Sequence, residues 1–299
     1  MTAMTPSASP AHSGEDAPTS APAHPASAFA ACTEVFRQTF GERRRSVYGY
    51  SIGLALLILL MAAVYPSIKS TGEEFDAYAQ SLPEGMRDAF GLATDSIASP
   101  PGYLMSQLYS NMFPLVLLVL GIAVAAWTIA GAEAEGTLEL LLANPIRRVV
   151  AATGRVSGLW MIVAVVTAIS TAVLQAVSYP FGLEDGLPWW GVWSAGVAMY
   201  AMVMLHASVA FAVGAATGRR AWAITAAAVV AVVGFTLQLV ASAADSLDWM
   251  REISPWWWLI DAQPLTHAPG LLDTAVPLVV SLVLTAVGVV MFNRRDLAA

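Results

Sequence analysis

The sequence is poor in charge and in reactive side chains. Only 12% of its 299 residues are Asp, Glu, Lys or Arg, whereas soluble domains carry about 25%. One cysteine, Cys32, excludes a disulfide scaffold, and a net charge of −7 without a basic face excludes a nucleic-acid binder. The remaining composition is apolar, because 57% of the residues are hydrophobic and the mean hydropathy is +0.65. These values are typical of a protein whose solvent is lipid.

The groups that most enzymes need are also scarce. A phosphate-binding Walker loop requires a lysine after a glycine-rich turn, and the single lysine, Lys69, lies in Y-P-S-I-K-S. The four histidines are scattered, so no cluster predicts a metal site. Gly49-Tyr50-Ser51-Ile52-Gly53 matches the G-x-S-x-G pattern of serine hydrolases, but it lies in an apolar helix, where small residues favour packing contacts. We therefore expect a chain that is not an enzyme and binds no cofactor or metal itself.

The first 30 residues differ from the rest of the chain. Prolines recur there among Ala, Ser and Thr, and no apolar face is present to offset the entropy of ordering. This composition predicts a disordered N-terminal tail over residues 1–30. An inert extension is the simpler interpretation, and a tail that docks a partner is the alternative.

Six stretches are long and apolar enough to cross a bilayer, which takes about 20 helical residues. None carries Asp, Glu, Lys or Arg in its middle. Residues 31–299 are therefore predicted to form one all-α membrane domain, in which residues 31–46 make an interfacial helix before the first span. The predicted spans lie near residues 47–65, 112–131, 157–178, 193–217, 222–243 and 274–292.

The basic residues divide unequally between the two sides of these spans. With the N-terminus in the cytoplasm, eleven arginines fall on the inner side and three basic residues on the outer side. Basic residues concentrate on the cytoplasmic side of membrane proteins, so this orientation is favoured, and six spans return the C-terminus to the cytoplasm. Tryptophans are predicted to mark the outer interface, where their rings suit the headgroup level: Trp189, Trp190, Trp193, Trp249, Trp256, Trp257 and Trp258.

The most informative stretch connects the second and third predicted spans, and reads A-E-A-E-G-T-L-E-L-L-L-A-N-P-I-R-R from residue 132. Its leucines recur at i, i+3 and i+4, which makes one apolar stripe: Leu138, Leu141 and Leu142. Asn144-Pro145 should end the helix, since a residue before proline avoids the α conformation. A short amphipathic helix that docks into a groove of another protein is the preferred interpretation, and a helix resting on lipid headgroups is the alternative.

Three polar residues inside the predicted spans are candidates for a transport pathway: Gln175, His206 and Gln238. Ionisable or polar groups at membrane depth are often functional. For the two glutamines, hydrogen bonds that pack one helix against another are an equal alternative, and for His206 such packing is the preferred interpretation.

Three motifs resemble those of the ABC-2 permease family, the membrane subunits of type-2 ATP-binding-cassette exporters. The first is E-x-E-G-T-L-E-L-L-L-A-x-P-x-x-R, which begins at Glu133. The second is S-P-W-W-W over residues 254–258, followed by Q-P-L over residues 263–265. The third is the C-terminal R-R-D-L over residues 294–297.

The resemblance implies a six-helix permease bundle with a cytoplasmic coupling helix, located in a bacterial cytoplasmic membrane. Such permeases pair with a second copy or a related permease and dock cytosolic ATPase subunits, which bind the ATP and Mg²⁺. Substrate would pass between the two permease copies. The positions that map onto the coupling motif are Glu133, Glu135, Gly136, Thr137, Leu138, Glu139, Leu142, Pro145 and Arg147.

A secondary transporter that works without an ATPase is the alternative function. Such proteins usually contain internal repeats, broken helices and charged groups at the membrane midplane. This sequence has no obvious repeat, and His206 is the ionisable residue that it places in mid-span. The expected partners are thus an ATPase subunit, a second permease and the lipid bilayer, with no nucleic acid.

Overall fold

The structure is a computed structural model that describes residues 28–83, 86–87, 98–144, 146–241, 254–260, 263–267 and 271–295. Every regular element within these ranges is a helix. The predicted tail lies outside the described residues except for residues 28–30, which already belong to the first helix.

The described helices follow one another without an intervening strand. They are α1 (Ala28–Ser70), α2 (Gly72–Ser81), α3 (Pro100–Ala134), α4 (Thr137–Leu142), α5 (Arg148–Ser178), α6 (Trp189–Thr217), α7 (Arg220–Ala241), α8 (Trp257–Ile260) and α9 (Leu271–Arg294). Six of them, α1, α3, α5, α6, α7 and α9, are long and apolar enough to span a membrane, which confirms the predicted all-α bundle.

Three helices extend well beyond the predicted spans. The expected interfacial helix 31–46 and the first span form one 43-residue helix, α1. The α3 helix begins at Pro100 rather than near residue 112, and α5 begins at Arg148 rather than near residue 157. Hydropathy marks only the part of a helix that crosses lipid, whereas adding a further turn to an existing helix costs little. Helix ends are set instead by glycine, proline and capping residues.

The α3 and α6 helices form the centre of the bundle. In each of these two helices, 72% of the residues in the most apolar 18-residue stretch are buried, compared with 28% in α1 and α7 and 22% in α9. A helix that is apolar on all sides belongs in an interior position, and α3 and α6 have that character. Around them, α9 packs along α6 and α1 packs along α5.

The contact between α1 and α5 depends on two glycines spaced by four residues. A Cβ on Gly154 would lie 2.7 Å from Val35, and one on Gly158 would lie 2.7 Å from the Thr39 side chain. The absence of side chains at these positions lets the two backbones approach closely. At Gly49 and Gly53, which the sequence predicted to make such contacts, an added Cβ would meet no other part of the described chain within 4 Å.

Most of the described arginines gather at one end of the bundle, which we call the arginine-rich end. It contains the start of α1, the α6–α7 turn at Gly218, and the meeting point of Arg148 and Arg295, where the Arg148 guanidinium donates to the Arg295 carbonyl at 2.8 Å. Gly218 adopts a left-handed conformation (φ 67°), which lets the chain turn tightly from α6 into α7.

The opposite end carries several of the tryptophans that were predicted to mark the outer interface. Trp189 and Trp193 are exposed there, in keeping with an interfacial position. Trp256 differs from the prediction because it is buried, stacks edge-on against Phe235, and donates from Nε1 to the Ala231 carbonyl at 3.2 Å. Trp249 lies outside the described residues, and the side chain of Trp258 is not described.

Candidate functional site

A compact helix-turn-helix segment at the arginine-rich end joins α3 to α5. The α3 helix ends at Ala134, and Gly136 then turns the chain in a left-handed conformation (φ 71°) that side-chain-bearing residues rarely adopt. The six-residue α4 follows and ends at Leu142, shortly before Asn144, where the sequence predicted a break. Arg147 is extended and immediately precedes α5, while Pro145 lies outside the described residues.

The leucine stripe of α4 packs against this chain itself. Leu138 and Leu141 are buried and Leu142 is half-buried, so this chain itself covers most of the stripe. The helix contacts the end of α3 and the α5 helix, and burying a leucine there is worth about 1.5–3 kcal/mol. Leu140, which the stripe omits, is instead 74% exposed. The role of α4 in coupling remains a prediction.

The carboxylates of the segment have different surroundings. Glu133 forms an ion pair with Arg295 near the end of α9. Glu135 accepts a hydrogen bond from the Nε1 atom of Trp127 at 3.0 Å. Glu139 is exposed on α4. Two of the three predicted docking carboxylates, Glu133 and Glu135, therefore attach the segment to the bundle, although Glu135 is exposed, as Glu139 is.

One predicted position stabilises the turn locally. The Oγ1 atom of Thr137 donates to the carbonyl of Ala132 at 3.1 Å, across the left-handed Gly136. This bond satisfies a carbonyl at the end of α3 that no longer has a helical partner. Thr137 and Gly136 thus shape the turn.

The structure brings to this site five residues that were not predicted as site residues, although Arg148 and Arg295 fall within the quoted motifs: Arg43, Trp127, Arg148, Arg155 and Arg295. They come from four different helices, so spacing along the chain carries no information about their meeting. One local signal was available. Arg155 lies two residues before the predicted span 157–178. An arginine so close to the apolar part of a membrane helix requires a partner for its charge.

The three predicted pathway residues lie on three different helices. Gln175 is half-buried on α5, and Gln238 is buried on α7. His206 is buried on α6, with Nδ1 at 2.8 Å from the Met202 carbonyl of the same helix. Their assignment to a pathway remains a prediction.

A mostly apolar groove of about 210 Å³ lies between α3 and α7, toward the opposite end. Phe235 and Trp256 form much of its wall, and Ser110 and Asn111 provide its polar atoms. Such a groove suits the apolar part of a ligand together with a few hydrogen-bonding groups. Gln175, His206 and Gln238 do not line it.

The chain was also compared with known proteins. It matches the model of the family described as "ABC-2 family transporter protein" over residues 33–297, which includes all six spanning helices apart from the first turns of α1. A comparison with curated proteins gave no match. Because the match covers most of the chain and agrees with six apolar helices, the protein belongs to the ABC-2 transporter family and is a multi-pass membrane component of a transporter.

Proposed function

We propose that this chain is the membrane subunit of an ATP-binding-cassette exporter and that α4 couples it to a separate cytosolic ATPase subunit. The observation that carries the proposal is the 74% exposure of Leu140 beside the exposed Glu139, on a short helix outside the spans. An exposed leucine beside a carboxylate suits an apolar pocket with a basic rim. Lipid contact alone would favour an arginine rather than a carboxylate at that position.

The proposed mechanism divides the work between two proteins. ATP and Mg²⁺ bind the ATPase subunits, whose closure displaces α4. Since the segment continues directly into α3 and α5, its displacement changes the relative stability of two arrangements of these helices. Nucleotide then shifts the population of the permease between its states through differential binding.

The proposal includes a second permease, either another copy or a related chain. Apolar side chains on the outer helices α1, α7 and α9 are exposed, and within the membrane they contact lipid or another protein. Substrate would pass between the two permeases, with the groove between α3 and α7 available to its apolar portion.

The proposed location is a bacterial cytoplasmic membrane, with the arginine-rich end and both termini in the cytoplasm. The positive-inside rule supports this orientation. It can be tested with a Cys32→Ser background that carries either Tyr179→Cys, whose native side chain is 79% exposed at the opposite end, or Leu140→Cys. In intact cells, a membrane-impermeant maleimide is expected to label residue 179 and to spare residue 140 until the cells are opened. The reverse pattern would contradict the orientation.

Leu140→Asp tests the coupling interface. Loss of a central apolar anchor typically costs about 2 kcal/mol, so we expect roughly thirtyfold weaker association with the copurifying ATPase in a pull-down. Membrane insertion and yield should not change, because residue 140 makes little contact with its own chain. Tyr179→Asp is the matched control, with similar exposure at the other end.

Unchanged association of Leu140→Asp would contradict the assignment of α4. Transport by the purified chain on an ion gradient, in the absence of any ATPase, would contradict the exporter function and support a secondary transporter.

A further inference from the structure

A buried tryptophan, Trp127, lies where three spanning helices meet the segment that precedes α4. It belongs to a π-helical stretch, Trp127–Gly131, near the end of α3, and its side chain is only 3% exposed. The Arg43 guanidinium carbon of α1 lies 3.7 Å from the centre of the indole ring, and that of Arg155 in α5 lies 5.2 Å from it. Both distances are within the range of cation–π attraction, and Trp is the strongest aromatic partner for a cation.

The same indole binds the segment that leads into α4. Its Nε1 atom donates to the Glu135 carboxylate at 3.0 Å, a hydrogen bond strengthened by the negative charge of the acceptor. Trp127 therefore contacts a cation through its ring and an anion through its edge, which matches the charge distribution of an aromatic ring.

The π-helical stretch explains why Trp127 and Glu135 can meet. Over eight residues an α-helix rotates by about 800° around its axis, which would leave the two side chains about 80° apart. A π turn accommodates one more residue than an α turn, so the same eight residues advance by about 700° and the side chains lie about 20° apart. The irregular turn thus places the indole and the carboxylate on one face.

A glycine makes room for the ring. A Cβ on Gly131 would lie 2.8 Å from Cδ1 of Trp127 and 3.2 Å from its Cβ and Cγ, closer than side-chain carbons normally approach. The indole is held at its base and cannot move aside as the tip of a long chain could. Gly131 is thus required for the observed position of Trp127.

Arg155 anchors the other side of the arrangement. It is only 1% exposed, and its Nη1 atom donates to the carbonyl of Thr128, the residue after Trp127, at 2.9 Å. A buried guanidinium needs compensating contacts, and here α3 supplies a carbonyl and an aromatic face. Arg43, Trp127, Arg155 and Glu135 therefore connect α1, α3, α5 and the start of the α4 turn.

We propose that Trp127 is a positioning residue that holds Glu135, and with it the entry to α4, in a defined relation to α1 and α5. When α4 is displaced, the indole transmits the movement to Arg43 and Arg155, so that α1 and α5 move together with α3. The transmission step rests on the proposed function, whereas the positioning step concerns this chain alone.

The positioning step is tested on the purified chain in lipid nanodiscs by hydrogen–deuterium exchange. In Trp127→Leu, amides of residues 132–142 are expected to exchange about tenfold faster, because one charge-assisted hydrogen bond and two ring contacts are lost. Trp127→Phe retains the ring without the N–H and should be intermediate. Gly131→Ala, which displaces the indole without replacing it, should resemble Trp127→Leu.

Two controls separate this effect from a general loss of structure. Trp222→Leu replaces an exposed tryptophan at the same end and should leave exchange of residues 132–142 unchanged. Glu135→Gln retains an oxygen acceptor for Nε1 and should exchange more slowly than Glu135→Leu. Unchanged exchange of this segment in both Trp127→Leu and Gly131→Ala would overturn the proposal.

The transmission step is tested on the complex with the copurifying ATPase. Trp127→Phe is expected to bind the ATPase as wild type does and to leave the KM for ATP unchanged, while kcat falls about fivefold, as loss of part of a coupling energy predicts. Equal kcat in wild type and variant would overturn transmission. If the wild-type chain binds no ATPase, the proposed function fails, whereas the exchange experiment still decides the positioning role.

Discussion

Gly158→Leu is expected to remove most of the correctly folded protein. Even a Cβ at this position would lie 2.7 Å from Cγ2 and 2.9 Å from Cβ of Thr39, and a leucine adds three further carbons. Thr39 cannot withdraw easily, because it is buried and its Oγ1 donates to the Val35 carbonyl at 2.8 Å. The α1 helix must therefore move away from α5, at a cost of about 3 kcal/mol or more.

The loss can be measured as the monodisperse yield in detergent and the midpoint of thermal unfolding. Gly53→Leu is the matched control, since it makes the same change in a spanning helix at a position where an added Cβ would meet no other part of the described chain within 4 Å. We expect near wild-type behaviour from Gly53→Leu. Equal losses in the two variants would show that the α1–α5 contact is not the reason for the effect.

Reversal of either charge in the Glu133–Arg295 pair is expected to have the second-largest effect. The pair joins the end of α3 to the end of α9, and both side chains are only about one-fifth exposed. Glu133→Arg would place a third guanidinium next to Arg295 and Arg148. An ion pair with this degree of burial contributes more than an open surface pair, so we expect a loss of about 1–3 kcal/mol.

The double variant Glu133→Arg with Arg295→Glu restores opposite charges at the same positions. It should recover at least half of the loss in the unfolding midpoint and in transport by the assembled complex, as a double-mutant cycle of coupled residues requires. Lys69 and Asp185, an exposed pair at the opposite end with Nζ and Oδ2 2.7 Å apart, are the control. Reversing Lys69 should change the midpoint little, because exposed pairs contribute about 0–1 kcal/mol. Additive losses in the Glu133–Arg295 double variant would contradict a direct interaction.

The buried leucines of α4 illustrate the limits of a sequence pattern. The spacing of Leu138, Leu141 and Leu142 predicts an apolar stripe, and in the structure Leu138 and Leu141 are buried and Leu142 is half-buried. A stripe does not indicate what covers it, since a neighbouring helix of the same chain satisfies it as well as a partner does. Exposure of Leu140, the residue that breaks the pattern, follows only from the packed position of α4.

The tryptophans also show which positions the sequence predicts and which depend on tertiary contacts. Local hydropathy places Trp189 and Trp193 at the opposite end, and the structure agrees. Trp256 lies in a similar sequence environment, but it is buried. The Ser254 hydroxyl accepts a hydrogen bond from the Trp256 amide and donates one to the Gly234 carbonyl, which holds the loop against α7. The ring then fills space beside Phe235.

Composition and periodicity determined that this chain is a six-span helical membrane protein, because backbone groups in lipid must bond within their own helix and each span needs a long apolar run. The motif beginning at Glu133 likewise sufficed to identify the family, since a run of consecutive residues is a local property. Only the tertiary structure determined which carboxylates form bonds within the chain and which side chains of α4 are exposed. The contacts of Arg43, Trp127, Arg155 and Arg295 join residues far apart in the chain, and their energies depend on distances that no spacing encodes.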